Sequence, residues 1–149
     1  MISSKKNVAI FGSSGLIGSA LKEQLGSNYN IINLDKIKKK NSDIRIDASK
    51  FLQSKKKIYN LIKQHKKIDS VIICIYPRAN KKKTSKLLKS DYKEFALELN
   101  THLEPYYNLN KIFKDYFKKN GGGSIINFAS IYGSYLPRFE IYKNTKMSM

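Results

Sequence analysis

Three glycines at three-residue intervals, Gly12, Gly15 and Gly18, follow the apolar run Val8-Ala9-Ile10-Phe11, and a carboxylate, Asp35, closes the next apolar run. At a strand-to-helix junction, glycines allow a sharp turn and let backbone approach a ligand closely. The helix start offers free N–H groups and the positive end of a dipole. That combination suits a diphosphate. Asp35 can accept hydrogen bonds from an adenosine ribose diol and repels a 2′-phosphate, which favours NAD, while the neighbouring Lys36 keeps NADP open. The cofactor-binding set expected here is Gly12, Ser14, Gly15, Leu16, Ile17 and Gly18 with Asp35 and Lys36. A glycine-rich turn that merely packs is the plainer alternative; the order of strand, turn, helix and acid weighs against it.

Elements must position these residues, and they alternate in kind along the chain. Asn7 to Phe11 and Tyr29 to Leu34 read as strands around a helix from Leu16 to Leu25, with Leu16, Ile17, Ala20 and Leu21 expected to face inward. Asp43 to Asp47 alternates like a short edge strand. Phe51, Ile58, Leu61 and Ile62 fall at helical spacing in a Lys-rich segment ending near Lys67. Ser70 to Tyr76 contains the most apolar run and reads as a central strand buried on both faces. After a polar loop from Arg78 to Ser90 comes a long helix, Asp91 to Lys118, which Pro105 should bend or interrupt. Gly121 to Gly123 marks a turn, and Ser124 to Ala129 a fifth strand. Alternating strands and helices predict an α/β fold with a parallel sheet. The expected form is a Rossmann-type doubly wound sheet of about five strands, order 3-2-1-4-5, in a single domain over residues 1–149.

Composition narrows the remaining classes. The 149 residues are 41% apolar, enough for one sizeable core. No stretch is long and apolar enough to span a bilayer. Lys5 and Lys6 before Val8 faintly mimic a secretion signal, but the apolar run breaks at Gly12, too early for one. Cys74 is the sole cysteine, so an internal disulfide is impossible and a reducing, cytoplasmic setting is expected. No metal site is expected. The net charge of +18 could draw nucleic acid. Lys outnumbers Arg 26 to 3, however, and the runs at Lys38, Lys55 and Lys81 are scattered, which reads as solvated surface rather than a phosphate-reading stripe.

The spacing Gly-x-x-Gly-x-x-Gly resembles that of the short-chain dehydrogenase/reductase family, and further segments agree in order. Asp47-Ala48 is similar to the acid after the third strand that contacts adenine. Asn100 in Leu97-Glu98-Leu99-Asn100 matches the helix asparagine of the catalytic set. Gly123 to Ser130 resembles the fifth strand that ends in the catalytic serine. The resemblance runs from about Asn7 to Gly133. Tyr76-Pro77-Arg78, Ser130 to Gly133 and Pro137 to Tyr142 resemble a bacterial branch found among surface-polysaccharide genes. It implies an NAD(P)-dependent oxidoreductase in which Ser130 polarises the substrate oxygen and Asn100 supports a proton-relay water. Cys74 and Ile75 stand at cofactor-facing positions. One departure concerns the fourth strand: where the family has Asn-Asn-Ala-Gly, this chain has Ile73-Cys74-Ile75-Tyr76; Ile73 at the asparagine position removes polar support, whereas the bacterial branch just named is expected to tolerate Tyr76 at the glycine position.

The family's acid–base chemistry requires a Tyr-x-x-x-Lys pair on one helix face. Tyr142 and Lys146 have that spacing, as do Tyr59/Lys63 and Tyr107/Lys111. With ten Tyr and a Lys at 26 of 149 positions, chance supplies about two such pairs. Only three residues follow Lys146, so a helix there would be short and marginal. The expectation is therefore a truncated, catalytically impaired oxidoreductase, incomplete on its C-terminal side, that binds cofactor weakly at most. Its fifth strand would be an open apolar edge inviting a homo-oligomer. The substrate is an unknown small molecule, with surface-polysaccharide metabolism implied by the resemblance alone. Two rival readings are a non-catalytic dinucleotide- or protein-binding module and a basic nucleic-acid binder.

Overall fold

The structure is a computed structural model that describes residues 5–37, 44–77, 91–135 and 138. Five parallel strands make one sheet: β1 (Asn7–Phe11), β2 (Asn30–Asp35), β3 (Ile44–Arg45), β4 (Ser70–Ile73) and β5 (Ser124–Asn127), in the spatial order β3-β2-β1-β4-β5. Three helices cross between them: α1 (Leu16–Leu25), α2 (Phe51–Gln64) and α3 (Tyr92–Lys119). This is the doubly wound α/β arrangement expected from the sequence. The expected polar loop from Arg78 to Ser90 lies outside the described residues.

Strand alternation sorts the core into two layers, because successive side chains point to opposite faces. Val8 and Ile10 of β1 join Ile72 beneath Leu21 and Leu25 of α1. Ala9 and Phe11 face the other way, into a larger cluster with Leu34, Val71, Ile73, Ile58 and Leu61 of α2, and Leu109 and Phe113 of α3. Phe11 and Phe113 meet edge-on at 5.8 Å between ring centroids. With both faces covered, β1 and β4 need the unbroken apolar runs they have.

Several boundaries differ from expectation. β4 ends at Ile73 rather than Tyr76, and β5 at Asn127 rather than Ala129. The chain runs on beyond both ends, where one further backbone bond each, Cys74 N–H to the Phe11 carbonyl and Phe128 N–H to the Ile73 carbonyl, both at 3.0 Å, precedes side-chain bonding. β3 contains only Ile44 and Arg45 among the described residues. α3 runs through Pro105 without interruption, and Pro105 is fully buried. Its start is capped by Asp91, whose Oδ1 accepts the Glu94 N–H at 2.8 Å, and Lys118 and Lys119 complement the dipole at its end. Tertiary packing outweighs one missing helical hydrogen bond.

The inward face of α1 also needs correction. Leu16, Ile17 and Ala20 are exposed, Leu16 to 90%, and the helix meets the sheet through Gly18, Leu21 and Leu25. The reason is local: a Cβ on Gly18 would overlap the Gly12 carbonyl oxygen, so α1 rests on the backbone of the turn with its glycine side down.

Candidate functional site

The chain leaves β1 at Gly12 with φ +87°, a region open to glycine and strained for other residues. A Cβ there would stand 2.8 Å from the Cys74 carbonyl oxygen, so the turn needs glycine for space as well. The Gly12 and Ser13 amides both donate to the Leu34 carbonyl, at 2.8 and 3.2 Å, and the Gly15 amide donates to the Gly12 carbonyl at 3.1 Å. Gly15 caps α1 with no side chain to offer. The first amides of the helix, which have no intrahelical acceptor, are therefore left for another acceptor. The Ser13 hydroxyl is buried and finds no partner among the described residues.

Asp35 ends β2 beside this turn. Its Oδ2 accepts the Ser14 N–H at 2.9 Å and its Oδ1 accepts the Ile37 N–H at 3.0 Å. Each oxygen has further lone-pair capacity. The carboxylate thus braces the glycine turn, a task in addition to the ligand contact expected of it. Lys36 is exposed, and its carbonyl accepts the Arg45 Nε–H at 3.2 Å. Asp47 caps a single 3₁₀ turn, Ala48–Lys50, accepting the Ser49 N–H at 3.2 Å and the Ser49 hydroxyl at 2.6 Å; Ala48 is buried. Leu16 and Ile17 lie exposed at the helix start.

Cys74 lies behind the turn, its thiol donating to the Phe11 carbonyl at 3.1 Å. Burial, and then the charge on Asp35, push that thiol up from 9.0 to about 11. It is a packing group rather than a nucleophile at neutral pH.

An open groove runs beside the ends of β4 and β5 and one side of α3. It is lined by Ile75, Tyr76, His102, Tyr106, Asn127 and Ser130, among others. Ser130 is exposed and accepts the Tyr132 N–H at 3.2 Å, which leaves its own O–H able to donate. The Tyr76 ring leans on the His102 ring, 4.9 Å away and tilted by 41°, and His102 Nε2 lies 3.7 Å from Glu98 Oε2. The Tyr106 hydroxyl donates to the Ile75 carbonyl at 2.9 Å and has the Phe128 carbonyl at 3.3 Å. Burial, followed by the nearby Cys74, pushes the Tyr106 phenol up.

The groove brings Ile75 and Ser130 together, whereas Asn100 is exposed on α3 and does not line it. Tyr142 and Lys146 lie outside the described residues. His102 and Tyr106 were not anticipated. Their signal was the four-residue spacing of Glu98, His102, Tyr106 and Asn110 along one side of α3. Tyr107 and Lys111 also line the groove.

No family model matches the chain. Flagellin modification protein A of Campylobacter coli, described as post-translational, is 27% identical over 158 residues, covering 95% of this chain and 62% of that protein. A short-chain dehydrogenase of Leptospira borgpetersenii serovar Hardjo-bovis, solved with bound NAD+, is 28% identical with a TM-score of 0.75, over 93% of this chain and 56% of that one. The chain carries the short-chain dehydrogenase/reductase fold. An aldohexose dehydrogenase of Thermoplasma acidophilum repeats the fold at 22% identity, with a TM-score of 0.71 over 90% of this chain and 52% of its own. The chain thus spans between 52% and 62% of the length of these three proteins. Within the short-chain dehydrogenase/reductase fold, the Gly12–Gly18 turn occupies the junction of the first strand and first helix. Among the described residues no helix is long and apolar enough to cross a membrane.

Proposed function

We propose that residues 1–149 form one domain that binds a nicotinamide dinucleotide, NAD in preference to NADP, as part of a short-chain-type oxidoreductase. One observation carries the reading: the positive-φ turn at Gly12 sets an uncapped helix start beside a carboxylate that ends the neighbouring strand. The residues suit such a ligand. Amides of Leu16, Ile17 and Gly18 would take the diphosphate, Asp35 the adenosine ribose, and Asp47 with Ala48 the adenine edge. Ile75 and Cys74 would flank the path toward the groove. The bound dinucleotide would supply a hydride acceptor or donor. Ser130 would then donate its O–H to the substrate oxygen, polarising it.

A titration calorimetry series with NAD+, NADP+ and ADP tests this. Saturable binding of NAD+ and ADP, with NADP+ weaker, is expected. Asp35→Asn should weaken NAD+ about tenfold, the usual loss when a hydrogen bond to a charged group goes, and narrow its lead over NADP+. Wild-type protein that binds none of the three would overturn the reading. We further propose that the chain by itself is catalytically impaired, because Asn100 stands off the groove. NADH formation with candidate alcohols in the presence of the protein would refute that. The substrate class we favour is a sugar-linked metabolite of surface-structure modification. The name of the Campylobacter relative and the resemblance to polysaccharide-associated sequences support it.

A further inference from the structure

We propose that Tyr106 is a positioning residue whose hydroxyl fixes the spacing between the carboxyl ends of β4 and β5, and so places Ser130 relative to the dinucleotide. The proposal rests on the dinucleotide reading for its functional half; its structural half stands alone. Regular pairing of the two strands ends at Ile73 opposite Asn127, and the Phe128 N–H still reaches the Ile73 carbonyl at 3.0 Å. In a parallel ladder the next rung would join the Ile75 amide to the Phe128 carbonyl. Instead, the Tyr106 hydroxyl stands between the Ile75 and Phe128 carbonyls, at 2.9 and 3.3 Å. One hydroxyl proton serves two acceptors, and the shorter contact takes the larger share. A neutral phenol can do this. A phenolate would repel both carbonyls.

The neighbours one turn away on α3 support the same seam. Asn110 donates to the Tyr106 carbonyl at 2.7 Å and exchanges two amide hydrogen bonds with Asn127 of β5, both at 3.0 Å. On the other side the His102 ring packs on the Tyr76 ring, 4.9 Å away. Tyr106 bonds the ends of both strands through one atom. Cys74 and Ile75 lie on one side of that atom. Ser130 follows two residues after Phe128 on the other.

Tyr106→Phe keeps the ring and removes only the bridge, leaving two carbonyls facing each other without a shared proton. Hydrogen exchange followed by mass spectrometry should show segments 70–77 and 124–130 exchanging about tenfold faster, with segments 8–18 and 30–35 unchanged. Affinity for NADH should fall about tenfold while that for ADP stays within about twofold, since ADP reaches only the turn. Tyr92→Phe, an exposed ring at the start of the same helix, should change neither readout. Faster exchange throughout the chain, or no change at the strand ends, would overturn the bracing role. Equal losses for NADH and ADP would overturn its functional half. Wild-type protein that binds neither ligand would sink the dinucleotide reading, and the functional half with it, while the exchange pattern still decides the bracing role.

Discussion

At the residue scale, Cys74 shows how a side chain can sit behind the glycine turn as a packing group rather than a nucleophile. Its thiol is raised from 9.0 to about 11, first by burial and then by Asp35. The native state therefore holds this proton more tightly than the unfolded chain does. The stability gained is complete below pH 9, and it is lost as pH rises from 9 toward 11. The urea midpoint of the wild-type protein should fall across that window, and Cys74→Ala should flatten part of the decline. A Cys74→Ala profile parallel to wild type would remove the thiol as the cause. Gly12, Gly18 and Asp35 could be recognised in the sequence because backbone geometry leaves few alternatives at such positions. Tyr106 could not, since nothing in its local sequence says which carbonyls its hydroxyl will meet.

At the scale of elements, strand identity followed from apolar runs and strand order from right-handed crossovers and the family resemblance, and the inward face of α1 followed from neither. Apolar periodicity pointed to Leu16, Ile17 and Ala20, but close contact between Gly18 and Gly12 turns a different side toward the sheet. Pro105 is a second case: local propensity argued for a break, while a helix buried over Leu109, Phe113 and Phe117 continues. α3 and β5 are clasped by the paired amides of Asn110 and Asn127. Asn127→Ala should lower stability to urea by about 0.5–1.5 kcal/mol, a typical net value for such bonds. Introduced after Asn110→Ala, it should cost clearly less. Additive losses would show that the clasp carries no coupling.

For the whole molecule, charge and apolar surface are unevenly placed. From Ala48 to Lys67 there are seven Lys and no acid, whereas α3 carries Glu94, Glu98, Glu104 and Asp115. Among the described residues β5 is the outer strand on its side, with Ile126 47% exposed. Such an edge invites association with another chain, the homo-oligomer expected from the sequence. Light scattering should show a mass that rises with concentration, and Ile126→Lys should reduce that rise; a mass constant over the range would count against it. Topology was legible because alternation of runs leaves few ways to wind a parallel sheet. The groove was not, because it depends on how a long helix is rotated against two strand ends. The shared use of Asp35 reaches furthest. The acid anchors the loop through Ser14, and under the function proposed above it would also read the sugar, which would tie the two properties together. A descendant that traded this acid away to admit a phosphorylated sugar would first have to invent another tether for its loop.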